Sequence, residues 1–189
     1  MNSEVDSGSR PDLPADLARA VEFHGHFCPG LLVGWRAARA GLAALGSSRS
    51  EDEELIAIVE NNSCAVDAVQ VLTGATFGKG NLFFRDHGKQ VFTFARRPSG
   101  EAVRVALKAG VFGEPAPSRE ERTRLLMTAA DEQLFEISKI TLELPPEAEI
   151  RKSALCAACG EPVMDSRTVE RNGRLFCRPC ARERDLTRG

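Results

Sequence analysis

The feature that most restricts how this chain can fold is a pair of cysteine pairs near its C-terminus. Cys156-Ala157-Ala158-Cys159 and Cys177-Arg178-Pro179-Cys180 are spaced C-x2-C-x17-C-x2-C. That spacing lies within the range of four-thiolate zinc sites, where each pair gives two sulfurs to one tetrahedral ion. The segment between the pairs need only fold back, and Asn172-Gly173, flanked by Val169 and Leu175-Phe176, predicts a two-residue hairpin turn that does so. A unit of fewer than about 40 residues with few apolar side chains cannot close a sufficient core unaided. Metal binding, worth on the order of 10–16 kcal/mol, supplies the missing stability. One structural zinc per chain is therefore expected at Cys156, Cys159, Cys177 and Cys180. A closed four-cysteine site leaves no coordination position for chemistry.

The charge separates the same region. Residues 1–150 carry net −6 and residues 151–189 net +4, within a chain of 189 residues and net charge −2. Pro145-Pro146 falls just before the change, and consecutive prolines stop both helices and central strands. The expected organisation is a mobile tail over 1–14, a core domain over 15–147 and a C4 zinc-finger domain over 148–189. No stretch approaches the roughly 18 apolar residues of a membrane span, and the polar start Met1 to Arg10 lacks a signal-peptide pattern. A soluble, cytoplasmic chain with no membrane partner is expected, one in which cysteine pairs hold metal rather than cystine. The arginines of the finger (Arg167, Arg171, Arg174, Arg178, Arg182 and Arg184) offer a basic face to nucleic acid or to an acidic protein surface. Four thiolates around a divalent ion contribute −2 against that charge, and Phe176 is the only aromatic there, so a base-stacking platform is poorly supported. Nucleic acid is the less favoured partner.

The larger region reads as α-β-α-β-β-β-α. A helix is expected from Pro29 to about Leu45, with Leu31, Trp35, Ala38, Leu42 and Leu45 on one stripe and Gly30, Gly34, Ala37 and Gly41 on another. Three glycines weaken a helix, so the second stripe calls for a close-packed neighbour. Leu55 to Val59 reads as a strand buried on both faces. Asn61-Asn62-Ser63 then caps a helix from Cys64 to Thr73, ended by Gly74. Asn81 to Arg85, Gln90 to Arg96 and Ala102 to Leu107 are expected as an antiparallel meander. Ser118 and Glu121 form a capping box for a helix running to about Ile137, and Thr141 to Leu144 is a candidate short strand. The fold class is α+β, a mixed or antiparallel four-stranded sheet with packed helices, followed by a small finger of zinc-ribbon or treble-clef type.

Short connections make each element run back along its predecessor. The start of the Pro29 helix, the start of the Cys64 helix and the turn at Asp86-His87 then share one end of the sheet. This gathers His24, His26, Cys28, Cys64 and His87, all three histidines of the chain, with Asp67 and Asp86 beside them. Cys28 precedes Pro29 and is expected as an N-cap. Helix N-termini stabilise thiolates, so both thiols are expected to ionise easily. Such thiols beside imidazoles suit either a metal or a nucleophile. His24, His26 and Cys64 make a candidate three-ligand metal set with an open fourth position. Cys28, Cys64 and His26 are the candidates for a nucleophile and its base. Gly74 to Gly80 resembles a phosphate loop, but it lacks Ser or Thr after Lys79 and follows a helix rather than a strand. It is not read as one.

Several separated motifs carry a family resemblance: His24-Gly25-His26-Phe27-Cys28-Pro29-Gly30, Asn62-Ser63-Cys64-Ala65-Val66-Asp67-Ala68-Val69-Gln70, Thr73-Gly74-Ala75-Thr76-Phe77-Gly78-Lys79-Gly80-Asn81-Leu82 and Asp86-His87-Gly88-Lys89. Over residues 20 to 145 the chain resembles the FmdE family of formylmethanofuran dehydrogenase components, and the segment from Leu155 resembles a DksA/TraR-type zinc finger. The resemblance implies an α+β core, an intertwined homodimer and a metal-capable cleft around His24, His26, Cys28, Cys64, Asp67 and Gln70, with Thr73 and Lys79 also carried over. It further implies association with a molybdenum- or tungsten-dependent oxidoreductase as a subunit or accessory protein. Such an enzyme's pterin chemistry belongs to larger subunits.

Three functions follow as expectations. The first is a zinc-containing homodimeric accessory subunit with a second transition metal, or a metal-bearing ligand, in the core cleft. The second is a self-contained enzyme with Cys28 or Cys64 as nucleophile and His26 or His24 as base. The third is a regulator whose finger contacts nucleic acid or polymerase.

Overall fold

The computed structural model describes residues 13–186. Of the tail expected over 1–14, only Leu13 and Pro14 lie among them. The chain divides into two compact units between Glu147 and Ala148.

The first unit opens with a helix that precedes every element expected from the sequence, α1 (Ala15–His24). It buries Leu17, Ala20 and Val21, a spacing of three and four along one face. Gly25 ends it at φ 88, the left-handed cap that glycine adopts without a Cβ penalty. A short extended link leads into α2 (Pro29–Leu45), with Pro29 in the first turn and Cys28 as the N-cap. The glycine stripe of α2 has the expected close neighbours. A Cβ on Gly34 would fall 2.0 Å from the carbonyl oxygen of Ala65, and one on Gly41 would fall 2.2 Å from the Phe94 ring. The first contact belongs to α3 (Ala65–Thr73), which Gly74 ends at φ 75.

The sheet holds five strands: β1 (Leu55–Val59), β2 (Leu82–Phe84), β3 (Val91–Arg96), β4 (Glu101–Leu107) and β5 (Phe135–Thr141), in the order β2-β1-β3-β4-β5. β1 is buried along its whole length, as its unbroken apolar run requires. Leu55, Ala57 and Val59 join the main core with the helices, whereas Ile56 and Ile58 join a smaller cluster with Ala95, Ala102, Leu142 and Leu144.

Two expectations are corrected. The strands after α3 do not form a three-stranded meander: β2 pairs in parallel with β1, and β3 pairs antiparallel with the other edge of β1. The β1-α3-β2 segment is thus a crossover unit, whose helix returns the chain to the starting end of the sheet. The helix expected from Ser118 to Ile137 begins on its capping box but ends early, as α4 (Arg119–Thr128). A single turn, α5 (Asp131–Leu134), leads into β5, which pairs with β4 over seven positions from Leu107↔Phe135 to Glu101↔Thr141. The pairing of a full alternating strand outweighs the helical reading of Phe135 to Ile137, and it replaces the short strand expected at Thr141 to Leu144.

The second unit consists of two hairpins and a helix. β6 (Ser153–Leu155) pairs with β7 (Pro162–Met164), and a 3-10 turn at Asp165–Arg167 leads on to β8 (Thr168–Arg171) and β9 (Arg174–Cys177). The β8-β9 turn is the expected Asn172-Gly173, with φ of 51 and 71, both left-handed as such a turn requires. The last element is α6 (Arg178–Leu186), and Cys156, Phe176, Cys177 and Ala181 form a small core. Among the described residues no helix is long and apolar enough to cross a membrane.

Candidate functional site

The second unit brings its four cysteines together, with the sulfurs of Cys156, Cys159, Cys177 and Cys180 all within 4.8 Å of one another. Backbone amides turn toward them. Cys177 N–H donates to Cys156 Sγ at 3.3 Å and Cys180 N–H to Cys177 Sγ at 3.5 Å. Amide donors of this kind stabilise thiolate over thiol. Amides from Cys159, Cys177 and Ala158 hold the Cys156 thiol down to about 6, while the hydrogen bond of Cys180 with the Cys177 sulfur, then burial, pushes Cys180 up to about 12. Four sulfurs in this space cannot all carry charge without a cation among them. The donor set fits one tetrahedral zinc.

The first unit gathers a different chemistry at one end of its helices. The C-terminus of α1, the N-terminus of α2 and the N-terminus of α3 meet there because α2 and α3 pack backbone against backbone at Gly34. His24 is the last residue of α1 and Cys28 is the N-cap of α2, its Sγ accepting the Leu31 N–H at 3.3 Å. Cys64 stands at the N-cap of α3 without a side-chain capping bond. Asp67, one turn further along α3, reaches back to His24 with Oδ2 2.7 Å from Nδ1. A carboxylate can only accept, so this contact sets the hydrogen on Nδ1 and leaves Nε2 facing Cys28 Sγ, 3.9 Å away. The His24 and His26 rings lie 4.4 Å apart, and one donor atom each from His24, His26 and Cys28 falls within 4.8 Å of the others.

The structure thus groups Cys28, rather than Cys64, with the two imidazoles. Cys64 lies directly behind: a Cβ on Gly30 would be 3.6 Å from Cys64 Sγ and 3.8 Å from Cys28 Sγ. The expectation that both helix starts give easily ionised thiols fails for Cys64. Its burial, then its hydrogen bond to Cys28 and the like charge there, push its pKa up and outweigh the helix end.

The other residues singled out in the sequence are dispersed. Asp86 and His87 follow β2 at the edge of the sheet, and His87, with 51% of its side chain exposed, pairs through Nδ1 with Glu60 Oε2 at 3.1 Å. Asp86 is exposed. Thr73 is fully buried, donates to Val69 O at 2.7 Å and accepts from Ala75 N–H at 3.1 Å, so its hydroxyl closes its own helix end. Lys79 Nζ holds the loop before β1 through the carbonyls of Glu51 and Asp52. Gln70 lines a cavity of about 380 Å³ with Arg19, Phe23, Arg49, Val71 and Thr76.

Two contributors to the site were not named from the sequence. One is α1 itself, which the Leu17, Ala20, Val21, His24 spacing followed by Gly25 could have revealed. The other is Arg119, whose guanidinium bonds the Phe27 carbonyl at 2.8 Å and steadies the link between His26 and Cys28. No local pattern announces a contact across 92 positions.

The chain resembles known proteins over both units. Residues 23–148 match the family described as FmdE, molybdenum formylmethanofuran dehydrogenase operon. Residues 150–185 match the prokaryotic DksA/TraR C4-type zinc finger. An Archaeoglobus fulgidus protein described as a probable S-adenosyl-L-methionine-binding protein is 31% identical over 183 residues, covering 82% of this chain. The chain spans about half the length of that relative. The crystal structure of a tungsten formylmethanofuran dehydrogenase FmdE-like protein from Syntrophus aciditrophicus is 25% identical, covers 87% of this chain and 89% of its own, and superposes with a TM-score of 0.66. The matched segment takes in the whole His24 to Cys64 cluster and every strand of the five-stranded sheet, and the chain belongs to the FmdE family, with a C4 zinc finger following the family domain.

Proposed function

We propose that this protein is a homodimeric metal-binding subunit or accessory protein of a molybdenum- or tungsten-dependent oxidoreductase system, and that its core cluster holds a second metal besides the zinc of the finger. The observation that carries the core site is the alignment of Asp67, His24 and Cys28. A histidine that gives one nitrogen to a carboxylate and turns the other toward further donors has the arrangement of a metal ligand with its outer partner. His24, His26 and Cys28 would be the ligands, with the Cys64 sulfur near Gly30. Imidazoles mixed with thiolate suit a borderline transition metal such as zinc, iron or cobalt. The link to an oxidoreductase rests on the family and on the name of the Syntrophus relative.

Native mass spectrometry of protein purified reduced and without chelator tests the site. Wild type should carry two metals per chain and His24→Ala/Cys28→Ala one, with the finger metal retained. One metal in both proteins overturns the core site. S-adenosyl-L-methionine, named for the Archaeoglobus relative, belongs in the same titrations. Binding of it that leaves metal content unchanged would move the ligand reading from the cluster to the cavity beside Gln70.

The same alignment favours one second reading, a self-contained thiol enzyme. Cys28, His24 and Asp67 also stand as nucleophile, base and orienting carboxylate, with Cys28 at a helix start whose amides could hold an oxyanion. Alkylation of Cys28 at neutral pH much faster than free cysteine, and lost in His24→Ala, would support it. An ordinary rate in wild type removes its premise.

A further inference from the structure

The cavity of about 380 Å³ beside Gln70 is walled by two helices and two loops of the first unit. Arg19 and Phe23 stand four residues apart on α1 and so share one face. Gln70 and Val71 come from the end of α3, Arg49 from the loop after α2 and Thr76 from the loop after α3. These walls are fixed by the fold. The Ser50 N–H donates to the Thr73 carbonyl at 2.9 Å, and a Cβ on Gly74 would fall 2.1 Å from the Ser50 carbonyl oxygen. The Arg49 loop is thereby seated on the end of α3. Arg49 Nε donates to the Val71 carbonyl at 3.2 Å, and the Thr76 N–H donates to Asn81 Oδ1 at 2.9 Å.

The lining holds two guanidinium groups and no carboxylate. Among the described residues neither Arg19 nor Arg49 forms an ion pair, although residues 1–150 carry net −6. Unpaired positive charge in a concave part of an acidic unit suits an anion. Two guanidiniums match the charge of a phosphate monoester and the forked geometry of its oxygens. Beside them Phe23 is left 61% exposed, and with Val71 it offers a flat ring an apolar wall. The Gln70 side-chain amide has no hydrogen-bond partner among the described residues, so its donor and its acceptor are both open to a ligand. The volume is that of a small-molecule site.

We propose that this cavity binds a small phosphate ester carrying a flat ring, a ligand of the nucleoside monophosphate class. Arg19 and Arg49 hold the phosphate, Phe23 stacks on the ring and the Gln70 amide bonds the ring edge. Although α1 and α3 also carry His24 and Asp67, none of His24, His26 and Cys28 lines the cavity. The proposal therefore stands whether or not the core holds a metal.

The test is calorimetric titration of the full-length protein with the common ribonucleoside monophosphates, with the matching nucleosides and with inorganic phosphate. At least one monophosphate should bind about tenfold or more tighter than either its nucleoside or phosphate alone. Arg19→Gln and Arg49→Gln, both at exposed positions, should each weaken it about tenfold or more. Lys139→Gln, which removes the same charge from β5 outside the cavity, should leave it unchanged. Phe23→Ala should weaken the monophosphate about fivefold or more and leave phosphate alone unaffected. No binding of any monophosphate at millimolar concentration overturns the proposal, as does binding that survives both arginine changes. Phosphate binding as tightly as every monophosphate overturns the ring subsite. His26→Ala separates this site from the metal cluster, because His26 is exposed and lies outside the cavity lining. Binding retained there supports the cavity, and binding lost with the core metal places the phosphate on that metal and overturns it.

Discussion

A methyl group on Gly34 would sit 2.0 Å from the carbonyl oxygen of Ala65, inside the backbone of the neighbouring helix. No rotamer relieves a clash with main chain, so Gly34→Ala is expected to destabilise the first unit by about 1–3 kcal/mol or more. The check is a fall in urea midpoint at unchanged slope, and a wild-type midpoint would show that the helices can separate cheaply. At the cluster, Asp67→Asn keeps an acceptor for the His24 Nδ1–H but loses its charge. Affinity of the core for cobalt(II) is expected to fall about 10–100-fold, read by chelator competition, with the finger metal unaffected. An unchanged affinity would reduce Asp67 to a bystander. The sequence shows one half of this chemistry and conceals the other. Cys28 is legible as an N-cap because Pro29 follows it. The His24–Asp67 bond spans 43 positions and exists only once α1 lies beside α3, so nothing local encodes it.

Helix α4 is held by its ends. Leu126 is its one buried residue among those described, and Arg36 ties its far end through the carbonyls of Leu126 and Ala129 and the carboxylate of Asp131. At the near end the Ser118 amide and hydroxyl hold the Glu121 carboxyl below its ordinary value of 4.5. A carboxyl lowered in the folded state stabilises above its unfolded pKa, and that stability is lost as pH falls through the lowered one. Amide exchange protection in α4 should therefore drop as the pH falls below about 4.5, before protection in β1 or β3 changes. Ser118→Ala, which keeps the amide and loses the hydroxyl, should leave most of that pH dependence in place while costing about 0.5–2 kcal/mol through the lost cap. Protection that falls together across α4 and the sheet would count against a separately held helix. The start of this helix was legible because a capping box is a local signal. Its end was not, because Thr128-Ala129-Ala130 contains neither glycine nor proline and the apolar residues after it fit both periods. Seven pairings with β4 decide the matter, and they are non-local. The same holds for β2, whose three residues carry no sign that they add to the far edge of β1 rather than to β3.

Taken whole, the molecule joins a unit stabilised by buried apolar surface to one stabilised by metal. The small core of the second unit, Cys156, Phe176, Cys177 and Ala181, includes two of the ligands themselves. Stripping the zinc with a strong chelator should therefore unfold residues 148–186 and leave the first unit intact. Limited trypsin digestion would then cut at Arg167, Arg171 and Arg174 while releasing a stable fragment that ends near the boundary. Digestion that spreads through the first unit at the same rate would show that the two stand or fall together. The cysteine spacing made this division readable, because ligand geometry is written in sequence separation in a way that strand order is not. The division also sets a timetable. Glu147 precedes Cys156, so on the ribosome the chain of the first unit emerges before any finger ligand does. At synthesis rates of about 5–20 residues per second, the sheet and its helices have a start of some seconds in which to close. Acquisition of zinc by the finger then follows closure of the first unit, and cells short of the metal would accumulate a protein whose first unit is closed and whose finger is open.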